Sequence, residues 1–444
     1  MLNSVIFSLL IAQSFAVGRS LPWGLLPFDL GRLFWFFLTI GFVLGIFLRK
    51  TAWVGCFAGL TLKSWALRAW LALNLVYLWM SYSRFRQMGY AFPWLPVAAV
   101  CLGTLFIERA PGAKGWRGRL IFAFAINLLI LVGSIFHFPI HPLRSDMLPV
   151  IANGLDFWAG GVSPYEVFEL AGRSNRMGYL PGTLFFNLPA WALGLDLRWN
   201  TFFYRVIWMF LVVRRLDLSK KPEKSSLVWV WLALAPYFNF RHDLYFEGFI
   251  LGVVALVLYP RLRFVLVPAL VATRQWAWVL APFWLLIECF GPTRRIVWKR
   301  VLVSVLAWAA IMALFVALLS GSTKFGDFWR VIFWFQKAVN STQFSGDYGL
   351  TFAPLFYRFE VSSWLQKTQA LVLGGCFLAA FKVRGDSARV LRLSALAWVL
   401  FTFLNGHYWL YFWNTLVVYL AALSICEESS ATQSGSPAGP AQST

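Results

Sequence analysis

The sequence predicts an all-α, polytopic integral membrane protein, a helical bundle of about 12–15 membrane segments with partly helical external loops. Three observations carry that expectation. Hydrophobic residues make up 60% of the 444-residue chain and charged residues only 13%, about half the charge of a typical soluble domain. Apolar runs of about 15–20 residues recur along its length, close to the roughly 20 that cross a hydrocarbon core. Short loops rich in Lys and Arg separate them in alternation, the pattern that sets orientation in a bilayer. Because backbone polar groups in lipid must be satisfied internally, such a chain folds as helices.

Taken in order, the apolar runs place helices at 2–18, 33–48, 66–82, 90–107 and 118–136. The first, within "NSVIFSLLIAQSFAVGRS", lacks the basic start of a secretory signal and is read as a retained helix. After a long polar stretch come 200–213, 226–240, 244–259, 263–274, 276–290 and 300–319. A second polar stretch then leads to 364–381, 390–404 and 408–425. The tail from Glu427, "EESSATQSGSPAGPAQST", is too polar and too rich in Ser, Gly and Pro to fold. Three regions follow: N-terminal membrane helices (1–117), a membrane module carrying both long polar stretches (118–425), and a disordered cytoplasmic tail (426–444).

Basic clusters at Arg49-Lys50, Arg117 and Arg119, Arg214-Arg215, Arg294-Arg295 and Lys382 with Arg384 belong inside. The stretches 137–198 and 320–363 then share the extracytoplasmic face of a multi-pass protein of the cell (inner) membrane. The apolar segment 179–197 is read as a re-entrant or interfacial helix within the first of them. No repeat of the kind built into inverted-repeat transporters is evident.

The net charge of +21 reads as topology signal and lipid-headgroup anchoring, so membrane lipids are the expected partners and nucleic acid is not. Five scattered cysteines show no metal or redox spacing. Neither a P-loop, a GxGxxG, an HExxH nor a nucleophile elbow is present, and no metal or cofactor is expected.

The polar chemistry gathers outside. All four histidines and 11 of the 18 carboxylates fall there on this topology. Arg144 and Asp146 follow one helix, "RHDLYFEG" with Arg241, His242 and Asp243 joins two more, and "GHYWLYFW" with His407 and Tyr408 joins the last two. Arg274-Gln275 interrupts two apolar runs, where a charge needs a partner (Glu247 is a candidate) or a wet cavity. A carboxylate that takes the proton of a hydroxyl makes it a nucleophile, and nearby cations hold a departing phosphate. These are the parts for moving a sugar off a lipid phosphate. A transporter or flippase of a lipid-linked intermediate also wants acids and histidines beside a polar cavity, and stands as the alternative.

The stretch "SDMLPVIANGLDFWAGGVSPYE", followed by "MGYLPGTLFFNLPAWALGL", resembles the first external loop of GT-C glycosyltransferases, particularly the polyprenol-phosphate-mannose-dependent family 87. The match covers about 45 residues. It implies that Asp146 is the catalytic base, that Gly161 with Pro164-Tyr165 forms a turn, and that Tyr179 with Pro181 leads into the next helix. Tyr165 and Tyr179 thereby join Arg144, Arg241, His242, Asp243, Arg274, Gln275, His407 and Tyr408 as expected substrate-binding residues. The implied donor is a polyprenyl-phosphate sugar, mannose being commonest in the family, and the implied acceptor a lipid or glycan hydroxyl. Three features depart from the family: five predicted helices precede Asp146 where it has one, Gly182 replaces a second proline, and 179–197 is read as re-entrant or interfacial where the family's segment crosses.

Overall fold

A computed structural model describes residues 115–137, 140, 147–175, 177–218, 247–290, 294–319, 361, 363–404, 415–416, 418–423 and 425–426. Of its described part, 78% is helical. In order, the long elements are α1 (Trp116–His137), α2 (Met147–Ala159), β1 (Phe168–Leu170), β2 (Arg173–Asn175), α3 (Gly182–Ala192) and α4 (Trp199–Leu218). There follow α5 (Glu247–Leu258), α6 (Arg263–Val271), α7 (Ala281–Cys289), α8 (Trp298–Leu319), α9 (Ser363–Lys382) and α10 (Ser387–Phe403). The chain divides into one unit of 1–130, 206–238 and 417–444 and another of 131–205 and 239–416.

In the first unit, Leu120, Ala123 and Phe124 recur at helical spacing on α1 and are buried, and Phe124 meets Trp208 of α4 edge to face at 5.5 Å. The other side of α1 is apolar but uncovered. Phe122, Leu129 (70% exposed) and Phe136 (78%) follow one another at seven-residue intervals, which places them on one helical face. Trp364, Leu371 (77% exposed) and Leu378 make the same stripe on α9. Among the described residues α1 is long and apolar enough to cross a membrane, with 18 residues of mean hydropathy 1.5 from Trp116 to Gly133.

The second unit holds the predicted loop 137–198, and this loop has a core of its own. Leu148, Ile151 and Leu155 of α2 point at i, i+3 and i+7 into a cluster with Tyr165, Phe168, Met177, Leu180 and Leu184. The sequence predicts helix in part of this stretch and no strand; the structure adds the hairpin β1–β2, with Phe168 opposite Asn175 and Leu170 opposite Arg173. Its two turn residues, Ala171 (φ +53°) and Gly172 (φ +73°), both take the left-handed conformation that tight hairpins need. Alanine is an unusual occupant there, which is why the turn left no mark in the sequence.

The segment 179–197, expected as a re-entrant or interfacial helix, contains α3. Its 11 residues rise about 16 Å, half of the ~30 Å hydrocarbon core, so α3 does not span one. Pro189 lies inside it and supplies no N–H. The neighbouring backbone is looked after by α4. Asn200 Oδ1 accepts the Ala190 N–H at 3.0 Å, Asn200 Nδ2 donates to the Asn187 carbonyl at 3.0 Å, and the Tyr204 hydroxyl donates to the Phe186 carbonyl. Asn200 is buried, so Asn200→Leu leaves both backbone groups without those bonds. A loss of about 2–4 kcal/mol is expected, read by thermal unfolding of the purified protein, with Asn200→Asp recovering only part of it.

Beyond α4, Phe186 of α3 lies on Gly248 and Leu270 of α6 on Gly252, where a Cβ would collide. These two small residues, one turn apart on α5, let three helices close up. Predicted helices 244–259 and 263–274 appear as α5 and α6, the second ending at Val271, and the chain bends by 118° between them at Pro260. Predicted 276–290 becomes a 3₁₀ turn (Gln275–Val279) followed by α7. Predicted 300–319, 364–381 and 390–404 appear as α8, α9 and α10, within a few residues at each end. The N-terminal helices before 115, the helix at 226–240 and the second polar stretch 320–360 lie outside the described residues.

Candidate functional site

The loop after α2 begins with a helix stop. The Gly161 N–H donates to the Trp158 carbonyl (3.1 Å) and the Val162 N–H to the Phe157 carbonyl (2.8 Å), the paired bonds of a Schellman motif. Gly161 sits at φ +74°, a conformation that costs glycine nothing. The chain then turns through Ser163-Pro164-Tyr165-Glu166, closed by Glu166 N–H to Ser163 O at 3.1 Å, with Pro164 presetting φ at the second position. The Ser163 hydroxyl accepts the Tyr165 N–H at 3.2 Å. This delivers the Tyr165 ring into the lobe's core, 4% exposed.

Three of the sequence-predicted residues meet here. The Tyr165 hydroxyl donates to the Tyr179 carbonyl at 2.9 Å, which ties the two halves of the motif together across 14 residues. The Arg274 guanidinium lies over the Tyr179 ring, 4.8 Å from its centroid, and Arg274 is only 4% exposed. An aromatic face of this kind stabilises a desolvated cation by about 2 kcal/mol. Two further bonds run alongside: the Gly182 N–H donates to the Ala272 carbonyl at 3.0 Å, and the Thr183 hydroxyl to the Thr273 carbonyl at 2.8 Å. The motif loop and the segment 272–274 are thus clasped side by side.

Gly182 stands where a side chain has no room. A Cβ there would lie 2.7 Å from the Ala272 oxygen, and a proline would in addition remove the donating N–H. Gly182→Pro is expected to destabilise the lobe by about 3 kcal/mol or more and Gly182→Ala by about 1–3 kcal/mol, measured as loss of thermal stability.

Burial pushes the Tyr165 phenol well above its usual range. The folded protein therefore keeps this proton longer than the unfolded chain, whose tyrosines ionise near pH 10. The contribution is fully present below pH 10 and drains away as pH rises beyond it. Tyr165→Phe is expected to cost about 1–2 kcal/mol at pH 7 through the lost hydrogen bond, and to flatten the decline in stability between pH 9 and 11.

A cavity of about 250 Å³ opens on the same lobe, between the start of α2 and the end of α3. Leu148, Pro149 and Ala152 wall one side, Trp191 and Leu197 the other, with Asp156 and Asp196 as its acids. Trp191 Nε1 donates to Asp156 Oδ1 at 2.8 Å. Asp196 is engaged by Arg198, whose Nε reaches both its oxygens at 3.0 Å and whose Nη2 also donates to the Ile135 carbonyl at 2.9 Å. Leu148 and Pro149 stand two and three positions after Asp146 in the sequence.

Of the predicted site residues, Tyr165, Tyr179 and Arg274 are brought together, and Gln275 opens the 3₁₀ turn beside them. Arg144, Asp146, Arg241, His242, Asp243, His407 and Tyr408 lie outside the described residues. Nothing in the local sequence marks Trp191, and the Asp196–Arg198 pair is marked only by its "DLR" spacing. Comparison of the chain with protein-family models, with curated proteins and with solved structures returned no match.

Proposed function

We propose that this chain is a multi-pass membrane glycosyltransferase of the GT-C kind, passing one sugar from a polyprenyl phosphate to a lipid or glycan hydroxyl on the extracytoplasmic face. The observation that carries the reading is the clasp. Tyr165 and Tyr179, from the two halves of the motif, and Arg274, about a hundred residues on, were named from sequence for one task and lie together. The uncovered apolar stripes of α1 and α9 support a lipid surrounding, since large apolar patches are rare on soluble monomers.

In this reading the acceptor oxygen attacks the anomeric carbon while its proton passes to the Asp146 carboxylate. The bond from that carbon to the phosphate oxygen breaks, its electron pair leaves with the polyprenyl phosphate, and the configuration inverts. Arg241, His242, Arg274 and His407 supply the positive charge that stabilises the departing phosphate. No metal is required by this scheme.

The test is transfer itself. Purified protein in nanodiscs is given polyprenyl-phosphate mannose labelled in the sugar, with lipid extract of the host membrane as acceptor. Label appearing in a new, non-phosphorylated product supports the proposal; its absence with every polyprenyl-phosphate hexose and pentose tried overturns it. Orientation is checked separately by membrane-impermeant labelling of single cysteines at 146 and 222, expected on opposite faces.

A further inference from the structure

We infer that the cavity between α2 and α3 holds one uncharged sugar ring, the glycosyl unit of the acceptor. This rests on the glycosyl-transfer reading and adds a subsite to it. The cavity, about 250 Å³ and open on one side, has room for a sugar ring against its wall.

Its chemistry selects for hydroxyls. Among the described residues, much of the wall is carbon, from Leu148, Pro149, Ala152 and the indole of Trp191, whose one polar hydrogen is already given to Asp156. That bond fixes the carboxylate and occupies Oδ1 only, while Oδ2 has no protein donor among the described residues. A fixed, partly engaged carboxylate is an acceptor for hydroxyl protons. The second acid does not add a second free charge, because Arg198 neutralises Asp196 with both oxygens engaged. Among the described lining residues this leaves Asp156 as the one charge without a countercharge, which disfavours a phosphate against that wall. Arg198 itself is buried and anchored to the α1 backbone at Ile135, so the wall it braces is rigid.

The experiment uses the full chain in nanodiscs free of sugar-headed detergent, with methyl α-mannoside, methyl β-glucoside and methyl α-arabinofuranoside as probes in saturation-transfer NMR. At least one glycoside is expected to bind. Ala152→Phe, which fills the cavity, should abolish the signal, and the nearly isosteric Asp156→Asn should weaken it about tenfold. A short-chain polyprenyl-phosphate mannose should bind alongside the glycoside without displacing it. Absence of binding by all three probes, or binding unchanged in both variants, overturns the inference, and displacement by the phosphate sugar overturns the assignment to the acceptor. Because this binding does not need Asp146, glycoside binding that survives Asp146→Asn separates a failure of the transfer reading from a failure of the cavity.

Discussion

Asp146→Asn is expected to lower turnover by about 10²- to 10⁴-fold while leaving the protein folded and able to bind the polyprenyl-phosphate sugar. The substitution keeps the shape and polarity of the side chain and removes only the ability to take a proton. KM for the donor should therefore stay within about twofold, since an interaction made only in the transition state affects turnover and not ground-state binding. Single-turnover transfer in nanodiscs, with donor affinity measured in parallel, reads both. If turnover is near normal, the base is another carboxylate, and Asp156, ten residues on and already in the cavity wall, is the next to replace.

Arg274→Ala has the opposite signature. It removes a cation proposed to face the leaving phosphate and at the same time the group stacked on Tyr179. Loss of one charge-assisted contact is worth about 1.5–3 kcal/mol, so donor KM should rise roughly 10- to 100-fold. The clasp loses about 2 kcal/mol with it, visible as a lower unfolding temperature. Arg274→Lys retains the charge but not the flat guanidinium that covers the ring, and should recover donor binding better than stability. A substitution that lowers stability without touching donor KM would assign Arg274 to the scaffold alone.

What the sequence made legible follows from how locally each feature is encoded. The helices α1, α4, α8, α9 and α10 were readable because long apolar runs need no partner to declare themselves. The Ser163-Pro164-Tyr165 turn was readable because proline fixes one dihedral by itself. Arg274 stood out because a charge between apolar runs demands an explanation, and the ring of Tyr179 is a part of it. The rest depends on groups distant in the chain. Pro189 marks a break in α3, but nothing in "NLPAW" says that Asn200 and Tyr204 will receive its orphaned backbone groups. Trp191 looks like one more apolar residue until its indole reaches Asp156, 35 residues earlier. The hairpin was invisible because its turn is Ala-Gly and not Asn-Gly, and its strands are three residues each. Gly182 read as a defect in a motif, whereas it is the point where two backbones touch.

In the proposed reading the chain adds one sugar, and Asp146 is the base that makes it do so. Mass spectrometry of the membrane lipids and envelope glycans of a host strain lacking this chain tests it most directly. A glycolipid or glycan truncated by a single hexose or pentose is expected, restored by the wild-type chain and not by an equally abundant Asp146→Asn protein. An unchanged glycan profile in the deletion strain, or full restoration by Asp146→Asn, would contradict it.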